Sequence, residues 1–490
     1  MGFYRAESCG LLKAKTSISQ SLVVSNIRIL HSCKKSSSVR FEVEGVVPLI
    51  AVRRTDGRNK MTIMGYRLGR RGFLTGMLGL SSLPLLGPLT AAAQAPTLRF
   101  FGWGDGTYYK GLFDAFEKVS GEKIAFEGVP FSDLQNTILQ RFRTGDSGID
   151  VFLVDPTYVP AFSKLGILGD LTSAFGEKSK SKLFPSDIQG ANYNGKMLTM
   201  PMEESTQVLF FNKGLLAKAG VEAPSVSPDA RMTWDKVIEL AKKVQAAGAE
   251  TGFGFEQVDR YYQLQVLPES LGGGPGVKGE DLLTVDVAND AWLQAGKWYG
   301  SIFADGVASR APTKSQEMRD LFKAGRLAFL VGGPWNISEF SKVEGLDYAA
   351  APHPYFASGK AVTPSESFHL GMAADTKNVD KTLNFLNYTG LDKDGAVAAA
   401  GGSGLSANIG ATQEILSRIP QQNPNLKGID ALMQFELANT AIRRPRTLGY
   451  LQLEELVTRA WSDIRNGNGA AETFAQLQSE LERSFKRIPH

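Results

Sequence analysis

Leu98-Arg-Phe-Phe-Gly-Trp103, Lys123-Ile-Ala-Phe-Glu127 and Ile149-Asp-Val-Phe-Leu-Val154 are three short apolar runs, and their spacing decides the fold class. Gly104-Asp105-Gly106 ends the first and Asp155-Pro156 ends the third, so each reads as a buried strand with a stop signal. Between the first two, Leu112, Phe113, Phe116 and Val119 recur on one helical face; between the second two, Leu134, Ile138, Leu139 and Phe142 do the same. Ser132 with Gln135 three residues on predicts a capping box for that second helix. Strand, helix, strand, helix, strand is the pattern of an α/β protein with a largely parallel sheet.

The same alternation continues outward. Val208-Leu-Phe-Phe211 is predicted as a strand, as are Leu327-Ala-Phe-Leu-Val331, stopped by Gly332-Gly333-Pro334, and Phe368-His-Leu-Gly-Met-Ala373. Thr233 is placed to cap a helix carrying Val237, Leu240, Ala241 and Val244, and 451–485 reads as helical to its end. Open α/β sheets bind ligands at the carboxyl ends of their strands. Trp103, Asp105, Asp155 and Trp335 all stand at such ends.

The amino-terminal part reads differently. Gly69-Arg70-Arg71-Gly-Phe73-Leu74 precedes a mildly apolar run to Leu89 and then Ala91-Ala92-Ala93, the order of parts in an export signal. The paired arginines resemble the twin-arginine type, which passes folded cargo across a membrane. The run holds Gly and Pro and is shorter than the roughly 20 residues that span a bilayer, so it is an address and not an anchor. The signal is assigned to 61–93, with cleavage after Ala93. Residues 1–60, with 11 Lys/Arg against 4 Asp/Glu, read as an upstream extension that is either disordered or not translated, because Met61 and Met64 lie just ahead of the arginines.

Removing these parts changes the charge. The whole chain is formally +4, but from residue 96 onward 40 basic residues face 46 acidic ones, which argues against nucleic-acid binding. Both cysteines, Cys9 and Cys33, lie in the part removed, so the mature chain is expected to have neither disulfides nor thiolate chemistry. Each Gly-Lys pair lacks a following Ser or Thr, so no phosphate-binding loop is predicted, and Pro275 spoils Gly272–Gly276 as a dinucleotide loop. His353, His369 and His490 lack ligand spacing. No metal, no cofactor and no catalysis are expected; the adjacent Glu203-Glu204 pair is unsuited to flank one glycosidic bond.

Several motifs occur in a fixed order: Phe116-Glu117-Lys118 with Gly121, Gly145-Asp146-Ser-Gly-Ile-Asp150-Val151, Phe211-Asn212-Lys213, Thr233-Trp234, and Phe322-Lys-Ala-Gly325-Arg-Leu-Ala-Phe329 followed by Gly333-Pro334-Trp335. This series resembles the family 1 extracellular solute-binding proteins, the periplasmic receptors of carbohydrate ABC importers. The resemblance covers nearly all of 97–490. It departs at Ile149, where the family commonly has Pro, and at Phe211, where it has Tyr. It implies a two-lobed α/β clamp of the type II-like Venus flytrap kind, with hinge crossovers. Lobe 1 would comprise 97–203 and 353–408, and lobe 2 would comprise 204–352 and 409–490. A monomer that captures a sugar or polyol and passes it to membrane permease subunits is expected.

A sugar presents hydroxyls around apolar C–H faces, so its site needs aromatic platforms and carboxylates. By the resemblance, Trp103 and Asp105 match a polar loop that contacts the first sugar, and Trp335 matches a stacking tryptophan. Asp105 and Asp155 can equally serve as turn or helix caps, and Trp103 as a core residue. Glu204 and Ser205 stand near a position where many relatives carry an acid, while Tyr262 and Tyr450 align with other sugar-stacking aromatics. Polyamine receptors combine aromatics with carboxylates too, and an exported carbohydrate hydrolase is a third reading.

Overall fold

The computed structural model describes residues 97–488, apart from 146, 312, 367 and 402–403. The readings of 1–60 and 61–93, and the Asp146 and His490 positions, lie outside the described residues. Two sheets organise the rest. Their nine strands are β1 (Leu98–Trp103), β2 (Ile124–Val129), β3 (Val151–Val154), β4 (Thr199–Pro201), β5 (Val208–Asn212), β6 (Thr251–Phe255), β7 (Leu327–Gly332), β8 (Tyr348–Ala351) and β9 (His369–Met372). The first sheet has the order β2-β1-β3-β9-β4 and the second the order β8-β5-β7-β6. The result is a two-lobed α/β protein.

The sheets are mixed rather than largely parallel. β1 runs parallel to β2 and β3, but β9 runs antiparallel to both β3 and β4. In the second sheet only β7 and β6 are parallel. Burial explains the sequence signals. All four residues of β3 are fully buried, because helices and neighbouring strands cover both faces, and such strands read as continuous apolar runs. β2, at an edge, alternates between half-buried and exposed residues.

The helices obey local rules in most places. Thr233 Oγ1 accepts from the Lys236 amide at 3.2 Å and starts the helix Trp234–Ala246, whose Trp234, Val237, Ala241 and Val244 are buried. Asn212 caps Lys213–Lys218 in the same way through the Leu215 amide. The predicted capping box does not form. The turn Phe131–Asp133 is 3-10 and the α-helix starts at Leu134, so the Ser132 hydroxyl turns to the Asp133 carboxylate instead. Val119 also departs from its expected face and is 65 % exposed, because the helix Lys110–Ser120 buries Leu112 and Phe116 and has only one turn left beyond them. The carboxyl-terminal segment is two helices, Tyr450–Arg465 and Ala470–Phe485, broken at Gly467 with φ +111°.

The segments joining the sheets lie side by side. Glu203 and Glu204 pair with Ser406 and Leu405, Thr363 and Pro364 pair with Ala441 and Ile442, and the Met202 and Glu203 amides both donate to the Phe368 carbonyl. These short ladders bring 203–207, 363–366 with 368, 405–406 and 441–446 into one bundle between the two sheets.

Candidate functional site

The Glu204 carboxylate holds this bundle together. Its Oε1 accepts from the Ser205 amide at 2.7 Å, the Glu366 amide at 2.8 Å and the Ser365 hydroxyl at 3.3 Å, and its Oε2 meets Arg443. The Ser205 hydroxyl donates to the Glu366 carbonyl at 2.7 Å and meets the Tyr262 hydroxyl at 2.7 Å. Both sides of the Glu366 residue are therefore clamped. That explains how a non-glycine residue persists there at φ +94°, where an L side chain is strained.

Three arginines around a proline, Arg443-Arg444-Pro445-Arg446, enter this frame from 441–446. Arg443 pairs with Asp187 at 2.8 Å and with Glu204. Arg444 reaches Asp155 at 2.8 Å, Glu366 at 3.5 Å and Glu454 at 3.7 Å, with its side chain 3 % exposed. Its other terminal nitrogen donates to the Tyr450 hydroxyl at 2.9 Å, and its guanidinium lies 5.1 Å over the Tyr262 ring. Arg446 donates to the Gln189 and Asn192 carbonyls. From the second sheet's side, Arg260 stands 3.7 Å from Asp155 and 3.6 Å from Glu454.

Burial sets the protonation pattern. The Glu366 carboxyl is pushed up to about 7 by burial, which Arg444 and Arg443 only partly offset. Asp187 is pushed well above the usual carboxylate range by burial and by Glu204 beside it. Burial works against the charge on Arg443 too, but Glu204, Asp187 and Glu366 outweigh it and hold the guanidinium charged. The Tyr262 hydroxyl is pushed up to about 12 by burial, and Tyr450 moves the same way for the same reason. His369 is held neutral by burial and by Arg443 and Arg446. Several buried polar atoms here have no hydrogen-bond partner, including both Glu366 carboxylate oxygens, which have only the longer ion pairs to Arg443 and Arg444, and also Asp187 Oδ2, Arg443 Nη1 and Arg444 Nε. Unpaired buried polar groups are costly, so the cluster is built to meet water or a ligand.

An aromatic wall flanks the cluster on the first sheet's side. Trp103 packs on Tyr108 at 5.2 Å and on Phe131 at 6.3 Å, and Phe131 packs edge-on against Phe368 at 5.8 Å. The Tyr108 hydroxyl donates to Glu203 at 2.8 Å. The Arg260 guanidinium covers the Phe131 ring at 4.8 Å.

Of the residues singled out in the sequence, Asp155, Tyr262 and Tyr450 converge on Arg444, and Glu204 and Ser205 join them through Arg443, Glu366 and Tyr262. Asp155 also takes a cap role, accepting from the Thr157 amide and hydroxyl. Trp103 stands on the aromatic wall. Asp105 is exposed and caps its own turn, accepting from the Thr107 amide at 3.0 Å, which lowers its carboxyl. Trp335 stands on the second sheet's rim, its indole N–H donating to Glu256 at 2.9 and 3.0 Å and its ring lying where a Cβ on Gly333 would sit. Tyr261 and Tyr262 are on a helical turn. Tyr261 is buried, its hydroxyl donating to the Pro275 carbonyl. Sequence reasoning missed Arg443, Arg444, Glu366 and Arg260. The available signal was Arg-Arg-Pro-Arg between two helices, a run that otherwise reads as solvated charge.

The chain as a whole has relatives among known proteins. The family described as "Bacterial extracellular solute-binding protein" matches residues 103–426. The "Probable ABC transporter-binding protein" of Deinococcus radiodurans is 25% identical over 80% of this chain and 94% of its own. The maltodextrin-binding protein MdxE of Bacillus subtilis is 26% identical over 50% of this chain and 57% of its own. The GacH receptor of Streptomyces glaucescens, solved unliganded and with acarbose, superposes with a TM-score of 0.69, covering 80% of this chain and 99% of the receptor at 21% identity. The chain belongs to the bacterial extracellular solute-binding family.

Proposed function

We propose that this solute-binding protein captures a neutral sugar or sugar-like polyol between its lobes and delivers it to the permease subunits of an ABC importer. The charge count of the cleft carries the reading. Asp155, Asp187, Glu204, Glu366 and Glu454 face Arg260, Arg443, Arg444 and Arg446, and two of the acids are biased towards holding a proton. Such a cleft offers many donors and acceptors with little net charge, beside aromatic faces, which suits hydroxyls around an apolar ring. A polyamine would ask for an unbalanced excess of carboxylates. A hydrolase would need two carboxyl groups free to act, whereas Asp155 is held by Arg444 and Thr157, and Asp105 by the Thr107 amide.

The maltodextrin-binding relative supports the sugar class, and the ABC transporter-binding relative supports the importer role. The twin-arginine-type segment at 61–93 supports export of the folded monomer to the periplasm. The lobes are read as 97–203 with 353–408, and 204–352 with 409–490, which respects the strand membership of both sheets. Closure around the ligand would be the signal that the permease reads, favoured only as far as the ligand prefers the closed form.

A thermal-shift screen against neutral sugars, polyols and spermidine tests this. A ligand at 100 times its Kd stabilises the fold by about 2.7 kcal/mol. A shift with one neutral sugar class, without its consumption, is expected. A shift with spermidine alone would replace the sugar by a cation, and turnover of the sugar would end the receptor reading.

A further inference from the structure

We infer that Arg260 is an internal stand-in for the ligand: its guanidinium occupies a slot between the Phe131 and Tyr262 rings, ties the two lobes together and gives way to an incoming sugar. This rests on the reading of the cleft as a sugar site and goes beyond it by naming one subsite and what occupies it.

Arg260 follows β6 of the second sheet, and Phe131 follows β2 of the first, so their contact crosses the cleft. The guanidinium lies 4.8 Å over Phe131 and 5.3 Å over Tyr262. Its edge points at Asp155 and Glu454, 3.7 and 3.6 Å away, beyond hydrogen-bond reach. Its one short hydrogen bond to a side chain, 2.6 Å, goes to Gln257 on its own segment. Arg444 makes the opposite choice, binding Asp155 at 2.8 Å with 3 % of its side chain exposed, whereas Arg260 is 22 % exposed. Arg444 is fixed; Arg260 is loosely seated with an open path to solvent.

The slot has the chemistry of a pyranose site. A planar group lies on two aromatic faces and turns its N–H edge to two carboxylates. A sugar ring would place its C–H face on the same rings and its hydroxyls on the same oxygens. Phe131 remains 44 % exposed beside the guanidinium, so the slot opens to solvent. A sugar entering the slot displaces Arg260 towards solvent and takes over its bridging contacts.

The test reads lobe separation in the full chain. Cys9→Ser and Cys33→Ser remove the native cysteines, and Val119→Cys and Asp235→Cys put spin labels on exposed helix positions at the two sheets. Without ligand, Arg260→Ala and Phe131→Ala should each shift the label distance to longer values, and Arg260→Lys should shift it less. Maltotriose, added as probe, should return the Arg260→Ala chain to the wild-type distance. An Arg260→Ala chain that keeps the wild-type distance without ligand overturns the stand-in, whatever sugar binds. If no neutral sugar stabilises the wild type, the receptor reading fails instead, independently of what Arg260 does.

Discussion

The core around Trp234 and the cluster around Arg444 are almost equally buried, yet they are held by opposite means. Trp234 sits among Trp298, Phe255, His353 and Phe253, with ring centroids 5.1 to 6.0 Å away. Each contact is non-directional, and each adds to the next. Arg444 sits among Asp155, Glu366, Glu454 and two tyrosines, and each partner matters only while the others are present. Buried ions are desolvated at a cost that their mutual attraction barely returns, so they fix relative position more than they add stability. The aromatic core makes a lobe; the ionic cluster sets how the connecting segments meet.

Five substitutions would break or sharpen that contrast. Trp234→Ala should cost about 4 kcal/mol, the scale for truncating a buried tryptophan, read as a lower urea midpoint. Arg444→Met should cost about 3 kcal/mol by leaving Asp155 and Glu366 without their main counter-charge. Adding Asp155→Asn should recover part of that loss, whereas no second substitution near Trp234 should do so. Strict additivity in the urea midpoints of that pair would erase the distinction between the two regions.

Glu366→Gln should separate them by pH. The folded-state value near 7 lies above the ordinary carboxyl value of 4.5. Below 4.5 both folded and unfolded chains keep the proton, and Glu366 carries no penalty. As pH rises towards 7, only the unfolded chain releases it, so stability falls across that window and levels off above it, by at most about 3 kcal/mol. The groups facing Glu366 are Arg443, Arg444, Arg446, Asp155 and Glu204, and all remain in the variant. Melting temperatures of wild type and Glu366→Gln should therefore lie closer together at pH 5 than at pH 8, with the variant higher at pH 8. The smallest effect is expected at Asp105→Ala, a slight fall in the urea midpoint from a lost turn cap, because the residue is exposed and outside both regions.

The strands rich in aromatic and β-branched residues were legible, because burial on both faces demands such runs: β1, β3, β5 and β7 read directly. β6, Thr-Gly-Phe-Gly-Phe, and β8, Tyr-Ala-Ala-Ala, were not, since glycine and alanine carry little strand preference and only pairing with β7 and β5 makes them strands. The site was half legible. Acids and aromatics at strand ends stand out as candidates, and Asp155, Glu204, Ser205, Tyr262 and Tyr450 do meet. The arginines that bring them together come from 441–446 and from a turn at 260, and nothing local distinguishes a buried arginine from a solvated one. Its partners, which decide the matter, lie far off in the chain.

The mixed strand order has a consequence for synthesis. β3 is fully apolar, and its partner on one side is β9, which leaves the ribosome only after all four strands of the second sheet. Until His369–Met372 arrives, the nascent first sheet ends in the bare hydrogen-bonding edge of Val151–Val154, an invitation to pair with the same edge on a neighbouring chain. Crowded expression is therefore most hazardous during this interval, and the exposed target is one four-residue edge.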